Sequence, residues 1–144
     1  PMLHNIPPIL SPDLLHSLRA MGHGDEIVIA DANFPATSMS NRCHRLDGIS
    51  STEVLTAILS VLPLDSYVPN PAHVMEVVGD PDAIPAIVAS FQAIVSGAAD
   101  TPSTLGKLER FAFYDRAKTA FAIVQTGETR LYGNIILKKG VIAP

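Results

Sequence analysis

A chain of 144 residues and 15.3 kDa has the size of one domain and leaves little room for two independent cores. Hydrophobic residues make up 47% of it and charged residues 17%, with a mean hydropathy of +0.27, which excludes a disordered tail or a highly charged coil. The net charge of -4 comes without a basic block, which argues against a nucleic-acid partner, and the lone Cys43 excludes a disulfide scaffold and a multi-thiolate zinc site.

A single thiol fits a reducing cytoplasm. No stretch approaches the roughly 20 apolar residues that span a bilayer, and the first residues lack the charged-then-apolar layout of a secretory signal. The expectation is a soluble, cytoplasmic protein with no membrane partner. Pro1 ahead of Met2 reads as a leading remnant, so residues 2–144 are taken as the one domain.

Ser11-Pro12-Asp13 ahead of Leu14, Leu15 and Leu18 predicts a helix with Ser11 as its cap, ended by Gly22. Asp25 to Asp31 encloses a short apolar run, predicted as a buried strand that presents Asp31 at its end. Residues 32–49 read as mainly loop around a short strand at Arg42 to Leu46, and as a candidate substrate loop. Ser50 and Glu53 form a capping box before Val54, Leu55, Ile58, Leu59 and Leu62, with Pro63 closing that helix.

His73 to Val78 is predicted as a second apolar strand. Asp80 to Ser96 carries helical spacing, with Pro85 near its first turn and Gly97 as its stop. Phe111-Ala112-Phe113 is short and apolar, Tyr114 to Thr119 suits a brief helix, and Ala120 to Thr126 a strand. Gly127-Glu128 reads as a turn, and Leu131 to Lys138 as the returning strand before Gly140. Helices alternating with short buried strands make an α/β layered fold.

Three constellations carry chemistry. Gly22-His23-Gly24-Asp25 sets an imidazole on a bend between two glycines, either as an exposed loop histidine or as an accessible proton-transfer group near Asp31. Asp31-Ala32-Asn33-Phe34-Pro35 offers an acid, an amide and an aromatic ring, suited to a polyol or equally to an Asx turn over a core phenylalanine. Tyr132-Gly133-Asn134, with Arg110 earlier in the chain, supplies a hydroxyl, a close-approach glycine and an amide, or else an ordinary tight connection. His4, His16, His44 and His73 lack ligand spacing among themselves or with Cys43, so no metal is expected, and Lys138-Lys139 reads as a solvated pair. There is no GxSxG elbow, Walker loop or GxGxxG fingerprint.

Over nearly its whole length the chain resembles the family of sugar mutarotases and pyranases that comprises L-fucose mutarotase and D-ribose pyranase. The resemblance rests on Met21-Gly22-His23-Gly24-Asp25-Glu26, Asp31 to Ala36, Leu64-Asp65-Ser66-Tyr67, Arg110-Phe111-Ala112-Phe113-Tyr114 and Tyr132-Gly133-Asn134-Ile135 with Leu137 to Gly140. Arg110, where the ribose branch uses a histidine, brings it nearer the fucose branch. Residues 80–107 match the family by helical character alone. The resemblance implies an α/β subunit of a decameric ring, monosaccharide sites near subunit interfaces, and no metal or organic cofactor. It implies His23 as proton donor, and Asp31, Arg110, Tyr132 and Asn134 as sugar-binding residues, with Gly133 inside the binding segment.

Anomer exchange requires a proton to leave the anomeric hydroxyl while another reaches the ring oxygen, then rotation of the C1 aldehyde and reclosure. A positioned acid and base, each worth about 10²–10⁴-fold, suffice for this. His23 is expected as acid at the ring oxygen in opening and base in reclosure, with Asp31 first and Tyr132 second as the complementary base. Phe34 or Phe113 would wall the 6-methyl group of fucose. The rival readings are a non-catalytic monosaccharide-binding or sensor subunit, a ribose pyranase, and a scaffold without a ligand.

Overall fold

Runs such as Ile27-Val28-Ile29-Ala30 and Ala122-Ile123-Val124 are apolar at every position, the pattern of strands covered on both faces. They form the middle of a six-stranded sheet in the computed structural model, which describes residues 2–98 and 103–144, so Pro1 lies outside the described residues. In chain order the elements are α1 (Pro12–Ala20), β1 (Glu26–Ala30), α2 (Ala36–Met39), β2 (Cys43–Leu46), α3 (Ser51–Leu59) and β3 (Ala72–Met75). Then follow α4 (Ala86–Ala98), β4 (Gly106–Leu108), α5 (Arg110–Lys118), β5 (Ala122–Thr126) and β6 (Ile135–Lys138). The sheet order is β2-β5-β1-β6-β3-β4, and β6 alone runs antiparallel to its neighbours.

Side chains alternate across this sheet. Ile27, Ile29, Val124, Ile135 and Leu137 face one core with Leu14, Leu55, Ile58 and Phe91 from α1, α3 and α4. Val28, Ala30, Ile123, Ile136 and Met75 face the other, with Phe34, Phe113 and Ala117. Each fully buried aliphatic or aromatic side chain contributes about 1.5–3 kcal/mol, so the two layers hold the sheet from both sides.

The α/β expectation holds, and the element ends explain where local pattern misleads. Ser11 caps α1 through Leu14 N at 3.2 Å, but the helix stops at Ala20, before Gly22. Ser50 caps α3 through Glu53 N at 3.3 Å, and that helix ends at Leu59, short of Pro63. The strand expected at His73 to Val78 keeps only its first part, because Val77 to Asp80 turns out of the sheet. Pro85 precedes α4 instead of lying in its first turn, and Gly97 sits inside that helix instead of stopping it.

Arg110–Lys118 is one helix begun by Glu109, whose carboxylate accepts from Phe111 N at 3.0 Å and Ala112 N at 3.2 Å. Of its apolar triplet only Phe113 is buried, while Phe111 is exposed. Residues 131–134 are loop, so β6 starts at Ile135. The short α2 and β4 lacked any periodic signal. Lys139 is no solvated charge: its Nζ donates to Leu18 O at 2.7 Å and Met21 O at 2.6 Å, satisfying the orphan carbonyls at the end of α1.

Gly127 and Gly97 give opposite expectations for alanine. A Cβ at Gly127 would strike the Asp47 carbonyl, whereas one at Gly97 meets nothing within 4 Å. Gly127→Ala should cost about 1–3 kcal/mol in chemical denaturation, and Gly97→Ala should gain about 0.5–1 kcal/mol.

Candidate active site

β5 and β6 are consecutive in the chain but lie on opposite sides of β1. The segment between them, residues 127–134, therefore crosses over the carboxyl end of β1, where Asp31 emerges. Sheets of parallel strands commonly hold their ligands at such an end, where neighbouring connections part.

The crossing is locked by hydrogen bonds at buried groups. Asp31 N donates to Asn134 Oδ1 at 2.7 Å, and Asn134 Nδ2 donates back to Asp31 Oδ2 at 3.2 Å. Asn33 N donates to Asp31 Oδ1 at 3.1 Å, the Asx turn read in the sequence. Ala32 N donates to Glu128 O at 2.8 Å, and Gln125 Nε2 donates to Asp31 O. Burial pushes the Asp31 carboxyl above its ordinary value against the opposing pull of these donors, the Asn33 amide foremost.

Glu128 anchors the crossing from below. Its carboxylate accepts from Ser51 Oγ at 3.2 Å and from Arg130 Nε at 3.0 Å and Nη2 at 2.9 Å. The Arg130 guanidinium holds this carboxyl down at about 2 although burial opposes it. Gly133 packs on this anchor: a Cβ there would come 2.8 Å from Glu128 Cγ and 3.0 Å from Ile87 Cδ1. Its smallness permits this packing, and its amide faces the Asp31 carboxylate.

Above this floor is a cavity of about 210 Å³ lined by Asp31, Asn33, Phe34, Arg110, Tyr132 and Asn134, with Met75, Val78, Tyr114 and Leu131 completing the wall. That is room for one monosaccharide. Arg110 opens α5, its guanidinium 5.6 Å from the Tyr114 ring centroid and 5.7 Å from that of Phe111; among the described residues no carboxylate pairs with it. Tyr132 holds a left-handed φ of 63°, rare for a side chain of its size, and its Oη accepts from Val78 N at 3.0 Å. Phe34 lines the cavity while Phe113 lies wholly buried behind it, edge-on at 6.0 Å, so Phe34 alone of the two can touch a ligand.

His23 is elsewhere. It lies before β1, at the amino end of that strand, where Gly24 N bonds Lys139 O at 2.8 Å. The five residues of β1 alone span about 17 Å, so His23 and Asp31 of one chain cannot reach the same sugar. His23 Nε2 lies 3.1 Å from Asp65 Oδ1, and the same oxygen accepts from Tyr67 N at 3.1 Å. Burial raises the Asp65 carboxyl, but the Tyr67 amide and the His23 bond outweigh it and hold it below the ordinary range. An ionised carboxylate only accepts, which makes His23 Nε2 the donor in this bond. The His23 side chain is 46% exposed and Tyr67, with its ring centroid 5.4 Å away, is 79% exposed.

Asp65, Met75, Val78, Tyr114 and Leu131 were not singled out as site residues from the sequence. Asp65 lies 42 positions from His23, and the lining residues read as ordinary core or surface; only the topology joins them. The remaining histidines are structural or peripheral: His44 Nε2 lies 2.7 Å from Ser17 Oγ, and burial holds the His44 and His73 imidazoles below their ordinary value. No group of three metal-ligating side chains occurs among the described residues, nor is any helix there long and apolar enough to cross a membrane.

A mixed α/β subunit with a polar, monosaccharide-sized cavity at the carboxyl end of its central strand defines a small-sugar protein by class. The chain belongs to the RbsD / FucU transport protein family, whose model matches residues 4–142. The fucose mutarotase of Bos taurus is 51% identical over 149 residues, spanning 99% of this chain and 96% of its own. The L-fucose mutarotase of Histophilus somni (strain 2336) is 46% identical, spanning 97% of each. The crystal structure of the fucose mutarotase of Streptococcus pneumoniae in complex with L-fucose superposes with a TM-score of 0.91 at 50% identity, covering 98% of this chain and 100% of that one.

The Glu128 anchor gives a pH test. Its folded-state value near 2 lies below the ordinary 4.5, so its stabilisation is present above about 4.5 and is lost as the pH falls toward 2. Glu128→Gln should lower stability at pH 7 by about 1.5–3 kcal/mol and flatten the loss between these values, measured by urea denaturation along a pH series.

Proposed function

We propose that this chain catalyses interconversion of the α and β anomers of L-fucose by acid/base ring opening and reclosure. The observation that carries this reading is the cavity itself. The carboxylate, amide and guanidinium of Asp31, Asn134 and Arg110 can meet sugar hydroxyls, while Phe34 and Met75 offer an apolar surface to a 6-methyl group. Full-length relatives named fucose mutarotase at about half identity support the same substrate.

The proton-transfer groups are assigned to Tyr132 and His23, with Tyr132 as the acid and His23 as the base in opening, the reverse of the His23 role expected from the sequence. The Asp31 carboxylate already accepts from Asn33 and Asn134, with the Gly133 amide also facing it, which suits it to hold a hydroxyl and the cavity floor more than to carry a proton away. Tyr132 Oη accepts from the Val78 amide and keeps its own proton to give. In opening, imidazole Nδ1 takes the proton of the anomeric hydroxyl as Tyr132 gives one to the ring oxygen and the ring C1–O bond breaks. After C1 rotates, the hydroxyl formed from the ring oxygen attacks C1 and gives its proton back to the phenolate, while the imidazolium returns the other proton to the carbonyl oxygen. Both side chains end as they began. Asp65 holds the hydrogen on Nε2 throughout and balances the imidazolium.

Because His23 and the cavity occupy opposite ends of β1, the working site combines the cavity of one copy with His23 of another. The reading therefore includes a homo-oligomer, with the decameric ring as its form. Its surfaces are supported by exposed Tyr67 beside His23 and by the apolar groove of Leu15, Leu18, Val61, Val141 and Ile142 next to it. Cys43 is free, in keeping with a cytoplasmic setting.

Saturation-transfer NMR on the anomeric protons of L-fucose should show exchange above the buffer rate. Fucose that binds without accelerated exchange would leave the sensor reading in its place. Tyr132→Phe should lower kcat by about 10²–10⁴-fold with KM little changed, whereas Asp31→Asn should act mainly on KM. Co-refolding inactive His23→Ala with inactive Tyr132→Phe should restore part of the activity, since mixed pairs contain one intact site. No restoration, or a monomer of 15.3 kDa in light scattering, would contradict the shared site.

A further inference from the structure

We propose that the backbone amide of Val78 is part of the catalytic machinery: it positions the Tyr132 hydroxyl and stabilises the phenolate formed when that hydroxyl gives up its proton. The inference rests on the role given to Tyr132 above and adds a group that no side-chain comparison reveals.

Val77 to Asp80 is a hydrogen-bonded turn, with Asp80 N donating to Val77 O at 3.1 Å. Gly79 has φ 81°, and Val78 is absent from the positive-φ residues, so the turn is of type II with Val78 at its second position. Glu76 N, donating to Leu108 O at 2.8 Å, ties the turn to β4. The Val78 N–H points out of the turn and donates to Tyr132 Oη at 3.0 Å. Tyr132 in turn is held at φ 63°, a strained backbone in a loop that the Glu128 anchor fixes.

A phenol oxygen keeps its hydrogen near the ring plane, which leaves two directions for it. A donor on one in-plane side sends the O–H to the other, so the amide chooses which way Tyr132 presents its proton. As the proton leaves, charge grows on Oη and the same N–H becomes a charge-assisted donor. That contact is modest in the ground state and stronger in the transition state, the condition for raising kcat instead of lowering KM.

The turn supplies its own test. The second position of a type II turn accepts proline, so Val78→Pro removes the N–H while suiting the turn. Anomer exchange of L-fucose would be measured for wild type, Val78→Pro, Tyr132→Phe and the double variant. Val78→Pro should lower kcat about 10–100-fold with KM changed less than about threefold, and on the Tyr132→Phe background it should change the residual rate by no more than about twofold. Equal losses in both backgrounds, or an undiminished kcat, would overturn the proposal. So would a Val78→Ala variant, which keeps the amide, losing as much as Val78→Pro.

If the proline variant does not fold, Gly79→Ala strains the same turn at a position with open space around it and should show the same dependence on Tyr132. Amide exchange adds a direct reading: the Val78 N–H should be protected in wild type and lose protection in Tyr132→Phe, and equal protection in both would also overturn the proposal. A wild-type protein without exchange above the buffer rate would remove the mutarotase reading and this inference with it. An active wild type with no Tyr132-dependent effect removes only the amide's role.

Discussion

The crossing of residues 127–134 over the end of β1 is the constraint on which the cavity depends. It exists because β1 lies between β5 and β6, parallel to one and antiparallel to the other. A chain leaving β5 must pass over Asp31 to enter β6, and the Asp31–Asn134 pair is the point where passing becomes fixed. Both groups are buried, so leaving either unpaired would cost about 1–3 kcal/mol, enough to make the pair a strong determinant of how the loop sits. The same pair turns the amide and the carboxylate toward one cavity.

Two buried carboxylates hold this region in opposite electrostatic ways. Glu128 meets a guanidinium and stays ionised to low pH, so it serves as a fixed anchor. Asp31 meets only neutral donors, and burial raises its proton affinity. Arg110, which no carboxylate neutralises among the described residues, leaves positive charge facing the same space. A neutral polyol with many hydroxyls can use a donor fork and an acceptor side by side without bringing in charge of its own.

Much of this was legible in the sequence, for reasons that differ by residue. The strand ending at Asp31 showed itself because a short apolar run bounded by acids has few other meanings, and Ser11 and Ser50 were readable as caps because capping acts over three residues. Gly97 misled because a glycine stops a helix only where a left-handed turn is wanted, and α4 instead continues through it. Phe111 to Phe113 misled because Glu109 supplies a cap that only its side-chain geometry reveals. Tyr132, Arg110 and Asn134 were identified as candidates, but that they meet Met75 and Val78 follows from sheet order, which short strands do not encode locally.

His23 shows how far local pattern can go and where it ends. Glycines on either side and a carboxylate partner 42 residues away make it a well-held imidazole with one nitrogen free. That nitrogen cannot serve the cavity at Asp31 in its own chain, because the length of β1 separates the two. On the proposed reading the cavity supplies Tyr132 as the group that gives a proton, and His23 of another copy takes one in exchange. Each copy would then hold complementary halves of an acid/base pair, a strand length apart. On the proposed reading, assembly follows from the chemistry: a subunit that closed its own site would need β1 shortened to nothing, whereas a second copy needs only to set one end against the other.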